Sequence, residues 1–92
     1  MSEDVSAFAG ERGVAEFVAP ALALAERIFP EGEVVAYLEH DSEIAGLQWI
    51  VLEVATHGLS AEQILERQLR WTAEIVDLCP PSVRESFILG LR

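Results

Sequence analysis

The chain has 92 residues, enough for one domain, and 51% of them are hydrophobic, so a core can form and a wholly disordered chain is excluded. Six Arg and no Lys stand against sixteen Asp and Glu, which gives a net charge of −10. The single cysteine excludes a disulfide scaffold, and the acidic balance argues against phosphate contacts, so we expect no nucleic-acid partner.

Neither a targeting segment nor a membrane span is predicted. The first residues, 1–4, are acidic where a secretory signal would be basic. The longest uncharged runs, residues 17–25 and 44–52, contain nine residues each, and a membrane span needs about 20. With a lone thiol as well, we expect a cytoplasmic protein that has no membrane partner.

The N-terminal part of the chain predicts a flexible segment followed by a helix. Residues 1–10 are mostly small or polar and are expected to fray, which leaves a single α+β domain over residues 11–92. From Val14 to Phe29 apolar residues recur with helical spacing. This spacing predicts one helix that bends at Pro20, because the apolar stripe keeps its phase through the proline.

The middle of the chain predicts a β-hairpin. Residues 33–39 and 47–55 are rich in β-forming side chains, and a short turn-like segment links them. The segment after the hairpin predicts the second helix. Ser60 with Gln63 has the spacing of a capping box, and the helix it begins is predicted to run from Ala61 to about Cys79.

After two prolines, residues 86–91 predict a third strand, so the order of elements is α-β-β-α-β. A right-handed crossover places this strand parallel to the second and on the side away from the first. The predicted fold is an α+β two-layer sandwich. It has a three-stranded, mostly antiparallel sheet with two helices on one face.

The hairpin is apolar on both faces. Alternate residues of a strand point to opposite sides of the sheet, and two helices can cover only one side of three strands. The other side would then expose an apolar patch, which is typical of an interface. We therefore predict an interaction surface at Val35, Tyr37, Trp49 and Val51. In the alternative arrangement the helices lie on opposite faces and nothing is exposed.

Ionisable residues form no catalytic or metal-binding pattern. His40 and His57 would lie at opposite ends of the hairpin, about 20 Å apart, which is too far for one metal ion. Glu39 and Glu53 are more typical of acids that prevent edge pairing than of an acid–base pair. Cys79 is expected to pack in the core. We therefore expect no enzyme activity, no cofactor and no metal.

Two polar residues, Gln68 and Thr72, lie near the centre of the apolar side of the second helix. They are predicted to be polar residues in the core, where a buried amide must find partners. Gln68 would bond a backbone group near a strand end. The alternative is that it marks a polar contact with a partner or a small ligand.

Size, charge and the apolar sheet face favour a non-enzymatic, acidic module for protein–protein interaction. Its partner would be a second copy of the chain, in a homodimeric accessory protein, or a basic protein that it neutralises like an antitoxin or immunity protein. The alternative function is a small-molecule-binding or sensor domain. Its pocket would form at a dimer interface and be lined by Tyr37, Trp49 and Trp71.

Overall fold

The structure, a computed structural model, describes residues 3–92 and contains the predicted elements together with two further helices. The boundaries of the predicted strands and helices agree with the sequence pattern to within one or two residues. In chain order the elements are α1 (Glu3–Arg12), α2 (Ala15–Ile28), β1 (Val34–His40), β2 (Gln48–Val54), α3 (Ala61–Leu78), α4 (Pro81–Arg84) and β3 (Phe87–Leu91).

The three strands form one sheet in the order β1-β2-β3. Strand β2 is central and pairs antiparallel with β1 and parallel with β3. The α+β class and the place of β3 are confirmed. The sheet is mixed rather than mostly antiparallel, because one of its two strand pairs is the parallel pair that the crossover through α3 creates.

The core lies between one face of the sheet and the helices. Every strand residue in the core cluster comes from the same alternation: Val34, Ala36, Leu38, Ile50, Leu52, Val54, Phe87, Leu89 and Leu91. Residues from all the helices complete the same cluster. The prediction that the helices lie on one face is therefore confirmed, and within residues 3–92 no helix lies over the other face of the sheet.

Helix α1 replaces the flexible segment predicted for residues 1–10. Met1 and Ser2 lie outside the described residues, and the chain is helical from Glu3 onward. One side of α1, formed by Val5, Phe8 and Ala9, is buried in the core against β1 and α2. The prediction missed α1 because three apolar contacts in a short polar segment depend on tertiary packing for their stability.

A glycine ends α1. Gly13 has φ of 71°, a conformation that glycine adopts without a steric penalty. Its N–H donates to the Gly10 carbonyl at 3.3 Å, and the N–H of Val14 donates to the Ala9 carbonyl at 2.9 Å. These two bonds are the Schellman motif, and they reverse the chain so that α2 can begin at once.

Helix α3 begins as predicted, with a capping box. The Ser60 hydroxyl accepts a hydrogen bond from the backbone N–H of Gln63 at 3.2 Å, and the Gln63 side chain accepts one from the N–H of Ser60 at 2.8 Å. Two of the unpaired N–H groups at the helix start are satisfied in this way.

Arg67 joins α3 to the end of α2. Its guanidinium donates to the Ile28 carbonyl at 3.0 Å and to both carboxylate oxygens of Glu31, at 2.8 and 2.6 Å. The same group lies 5.9 Å from the centre of the Phe29 ring. The hydrogen bonds from Arg67 lower the pKa of Glu31. Arg67 therefore fixes the side of α3 that faces α2.

Within residues 3–92 no helix combines the length and the apolar character that crossing a bilayer requires.

Candidate interaction surfaces

The four residues predicted to form an interaction surface lie on the sheet face away from the helices. Tyr37 of β1, Val51 of β2 and Ile88 of β3 form one row across the sheet, because each is the register partner of the next. Val35 and Trp49 lie in the adjoining rows. We call these five residues the open sheet face. Val35, Tyr37 and Ile88 are exposed, with 40% of Val35 accessible, and Trp49 is half-buried.

The structure corrects the prediction for Val51, which is only 4% exposed although it lies on this face. On β3, Val51 lies close to Gly90, which has no side chain. A Cβ atom at Gly90 would come within 3.0 Å of the Val51 Cγ1 atom. Val51 therefore occupies the space beside the glycine and forms the floor of the open sheet face rather than part of its accessible surface.

Ile88 belongs to this surface although the sequence pattern did not predict it there. The alternation within residues 86–91 separates Ile88 from the core residues Phe87 and Leu89. That signal was present in the sequence. It could be used only after the parallel register placed Ile88 beside Val51.

Polar atoms on the open sheet face converge on Glu53. The Tyr37 hydroxyl donates a hydrogen bond to Glu53 Oε2 at 2.9 Å, and Arg92 Nε lies 3.3 Å from Glu53 Oε1. The hydrogen bond to the carboxylate raises the pKa of Tyr37 above its usual value of 10.0, and partial burial and the nearby negative charges act in the same direction.

The rim of the open sheet face is acidic. Glu39 and Glu53 share the alternation of Tyr37, and Glu33 continues it one residue before β1. Arg92 is the cation found there among the described residues, and it is paired with Glu53. The surface therefore presents an apolar centre with a predominantly negative border.

Gln68 and Thr72 are exposed, so the prediction that they lie in the core is wrong. The apolar side of α3 covers about half of the helix circumference at 100° per residue. Only one part of it packs inward, through Trp71 and Ile75, which are the buried residues of α3. The sequence pattern could not show which part of so wide an apolar arc meets the core.

The remaining part of that arc forms a second exposed apolar surface. Leu65, Leu69 and Val76 are exposed, with 63% of Leu69 accessible, and Thr72 lies among them. We call these four residues the outer stripe of α3. Their side chains lie about 170° around the helix from Arg67 and Glu74. Those two residues contact α2, through Ile28 and Arg27.

The three aromatic residues predicted to line a pocket at a dimer interface do not share one surface of the chain. Trp71 is buried in the core on the helix side of the sheet, whereas Tyr37 and Trp49 lie on the open sheet face. Two shallow grooves occur elsewhere. One, of about 280 Å³, lies between α2 and α3, and the other, of about 440 Å³, lies near His57 and Arg92. Neither groove is lined by these aromatic residues.

The residues considered for chemistry are also apart. His40 pairs with Gln48 at one end of the hairpin, and His57 follows the other end. Glu39 and Glu53 are separated by four residues along the hairpin, or about 13 Å. Among the described residues, no three His, Cys, Asp or Glu side chains are placed to hold a metal ion. These positions therefore give no geometry for acid–base or metal chemistry.

Local structure explains two other polar or reactive residues. The Asp41 carboxylate accepts hydrogen bonds from the backbone N–H groups of Glu43 and Ile44, at 2.7 and 2.9 Å, and these bonds lower its pKa. Asp41 therefore holds the β1–β2 turn. Cys79 is buried, as predicted, and burial raises the pKa of its thiol.

Comparison with known proteins adds no further guide to these surfaces. No protein-family model matches the chain, and neither a curated protein nor a solved structure shows significant similarity to it. The geometry and charge of the chain itself are therefore the basis for inferring its function.

Proposed function

We propose that this protein is a non-enzymatic module that binds a basic protein through the open sheet face. One observation carries the proposal: an apolar surface without a helix over it is bordered by carboxylates. Val35, Tyr37 and Ile88 provide exposed apolar area at its centre. Apolar contact of this kind supplies binding energy, while complementary charge at a rim steers association and selects the partner.

Charge favours a basic partner over an acidic one. The whole chain carries a net charge of −10, and Glu33, Glu39 and Glu53 lie on the alternation of the open sheet face. An acidic surface placed against this border would bring like charges together without compensation. A module that masks a basic effector, in the manner of an antitoxin or immunity protein, would use these properties. The lone buried thiol of Cys79 is in keeping with a cytoplasmic setting.

Affinity isolation with a matched pair of variants tests the proposal. Val35→Glu adds a charge to the open sheet face, whereas Ile44→Glu makes the same change at a β1–β2 turn residue that is 58% exposed. Immobilised wild type and Ile44→Glu are expected to retain a basic protein at about 0.05 M salt and to release it at about 0.5 M salt, because salt screens the attraction.

Val35→Glu is expected to lose that protein. Mass spectrometry identifies what is retained, and circular dichroism checks that both variants are folded. Recovery of acidic proteins only, or equal recovery on wild type and Val35→Glu, would contradict the proposal.

A further inference from the structure

We infer that a second copy of this chain binds at the outer stripe of α3 and the free edge of β3, and that the resulting two-fold dimer has a continuous six-stranded sheet. This surface is distinct from the open sheet face. The inference does not depend on the function proposed above.

The outer stripe has the spacing of a helix-pairing seam. Leu65, Leu69, Thr72 and Val76 follow one another at intervals of four, three and four residues, as in the seam of two packed helices. The polar member is already satisfied, since the Thr72 hydroxyl donates to the Gln68 carbonyl at 3.0 Å. Thr72 can therefore enter an apolar contact without leaving its hydroxyl unpaired.

The charged residue that borders the outer stripe does not prevent a second copy from binding there. In an antiparallel pair centred between Leu69 and Thr72, each Leu65 meets Val76 of the second copy. Glu66, which borders the stripe, then lies opposite Ala73 of the second copy rather than opposite another acid. Self-pairing of the open sheet face would instead bring carboxylates together. The second copy therefore fits the stripe, and the basic partner fits the open sheet face.

The free edge of β3 lies on the same side of the molecule. Helix α2 contacts β1 and β2, and α3 packs against α2. Because α3 is the crossover from β2 to β3 and α2 already covers β1 and β2, we infer that α3 lies on the β3 side of α2. Among the residues that the structure describes, strand β3 pairs with β2 only. The bonds from Ile50 to Ser86 and from Arg92 to Val54 show which residues of β3 face β2. The alternate residues direct their N–H and C=O groups outward: Phe87, Leu89 and Leu91.

Within the described residues, the β3 strand itself lacks the charges and prolines that commonly protect an edge strand against pairing. The β3 sequence FILGL contains no charge and no proline, whereas β1, the other edge strand, ends in Glu39 and His40. A two-fold axis perpendicular to the sheet would pair two β3 strands antiparallel. The same axis would place the two α3 helices side by side in opposite directions, so one operation forms both contacts.

The area is sufficient for a specific dimer. The 18 residues of α3 extend over about 27 Å, and the helix and sheet layers together are about 20 Å deep. The cross-section is thus roughly 500 Å² on each copy, or about 1,000 Å² in total, which is where specific interfaces begin.

Sedimentation of the full chain tests the dimer, from about 5 to about 500 micromolar protein. Wild type is expected to reach twice its mass of 10.1 kDa. Its dissociation constant should fall when salt rises from about 0.05 to about 0.5 M, because salt screens the repulsion between two acidic chains. This salt dependence is opposite to that expected for the basic partner, so the two proposals can fail separately.

Two variants test whether the dimer interface lies at the outer stripe. Leu69→Glu would bury two unpaired carboxylates in a symmetric interface and should raise the dissociation constant roughly 100-fold or more. Ile44→Glu makes the same change at a similarly exposed position outside the interface and should leave the dimer intact. A monomer throughout the concentration range, a dimer that survives Leu69→Glu, or one that Val35→Glu dissociates while Leu69→Glu does not, would overturn the inference.

Hydrogen exchange tests the strand contact by itself. The outward amides of Leu89 and Leu91 should be protected in the wild-type dimer and exchange faster in Leu69→Glu. Rapid exchange of these amides in both proteins would overturn the continuous sheet.

Discussion

Tyr37 and Glu53 join β1 to β2 across the open sheet face: the tyrosine hydroxyl donates to Glu53 Oε2 at 2.9 Å. The residues lie in adjacent rows of the antiparallel register, two residues apart along the hairpin. Such diagonal neighbours are within reach of a long aromatic side chain. The hydrogen bond keeps a carboxylate directed over the sheet, where Arg92 also meets it.

This contact predicts the titration of the single tyrosine. The bond to Glu53 favours the neutral phenol, so the folded protein should ionise Tyr37 above pH 10.0. A pKa raised in the folded state stabilises the fold below the unfolded pKa, and this stabilisation is lost as pH rises through the folded pKa. Absorbance at 295 nm should show the shift in wild type and a lower midpoint in Glu53→Gln. Equal midpoints would rule out the contact in solution.

The pair of Arg67 and Glu31 predicts a contribution to folding stability that is lost in acid. The pKa of Glu31 is lowered in the folded state from its ordinary value of 4.5. The contribution is therefore complete above that value and disappears as pH falls through the folded pKa. Wild type should melt at a higher temperature than Glu31→Gln near neutral pH, and the difference should narrow in acid. Glu11→Gln, on the exposed side of α1, is the control and should show a smaller difference.

Close approach of two backbones predicts the effect of a substitution at Gly32. A Cβ atom there would clash with the Ala55 carbonyl oxygen. Gly32→Ala should destabilise the fold by about 1–3 kcal/mol, the usual cost of overpacking. At Gly10, in α1, an added Cβ atom would have no described atom within 4 Å beyond its chain neighbours and the nearby backbone of its own helix. Gly10→Ala should instead stabilise the fold by about 0.5–1 kcal/mol. Urea unfolding measures both values, and equal effects would contradict the structure.

The capping box predicts the effect of removing the Ser60 hydroxyl. Ser60→Ala leaves a backbone N–H at the start of α3 without its acceptor and should cost about 1 kcal/mol of unfolding free energy. Ser42→Ala, in the exposed β1–β2 turn, should change the value by less than about 0.5 kcal/mol. Thermal or urea unfolding would compare the two variants, and a neutral Ser60→Ala would contradict the cap.

The sequence predicted the strands and the two long helices because their signals are local. The apolar period identified α2 and α3, Ser60 with Gln63 identified the start of α3, and β-forming segments on either side of a turn identified the hairpin. Helix α1 was missed. Its acidic first turn and the terminal Gly13 were visible in the sequence, but its stability comes from Val5 and Phe8 in a core that the rest of the chain completes.

The structure confirms which hairpin residues face away from the helices, and the differences in their exposure have a common cause. The alternation within β1 and β2 identified the residues that face away from the helices. The burial of Val51 beside Gly90 and the position of Ile88 beside Val51 both depend on the parallel pairing of β3 with β2. Strand β3 is remote from β2 in the sequence. Similarly, the wide apolar arc of α3 did not reveal that Gln68 and Thr72 lie outside the contact with the core.

By itself the sequence determined the acidic character of the protein, its three strands and two long helices, and the presence of more apolar β-surface than two helices can cover. Patterning, capping and turn signals act over a few residues, and net charge is a sum over the chain. Only the tertiary structure decided which apolar residues remain exposed. Exposure depends on which elements pack together, and packing joins residues that are far apart along the chain.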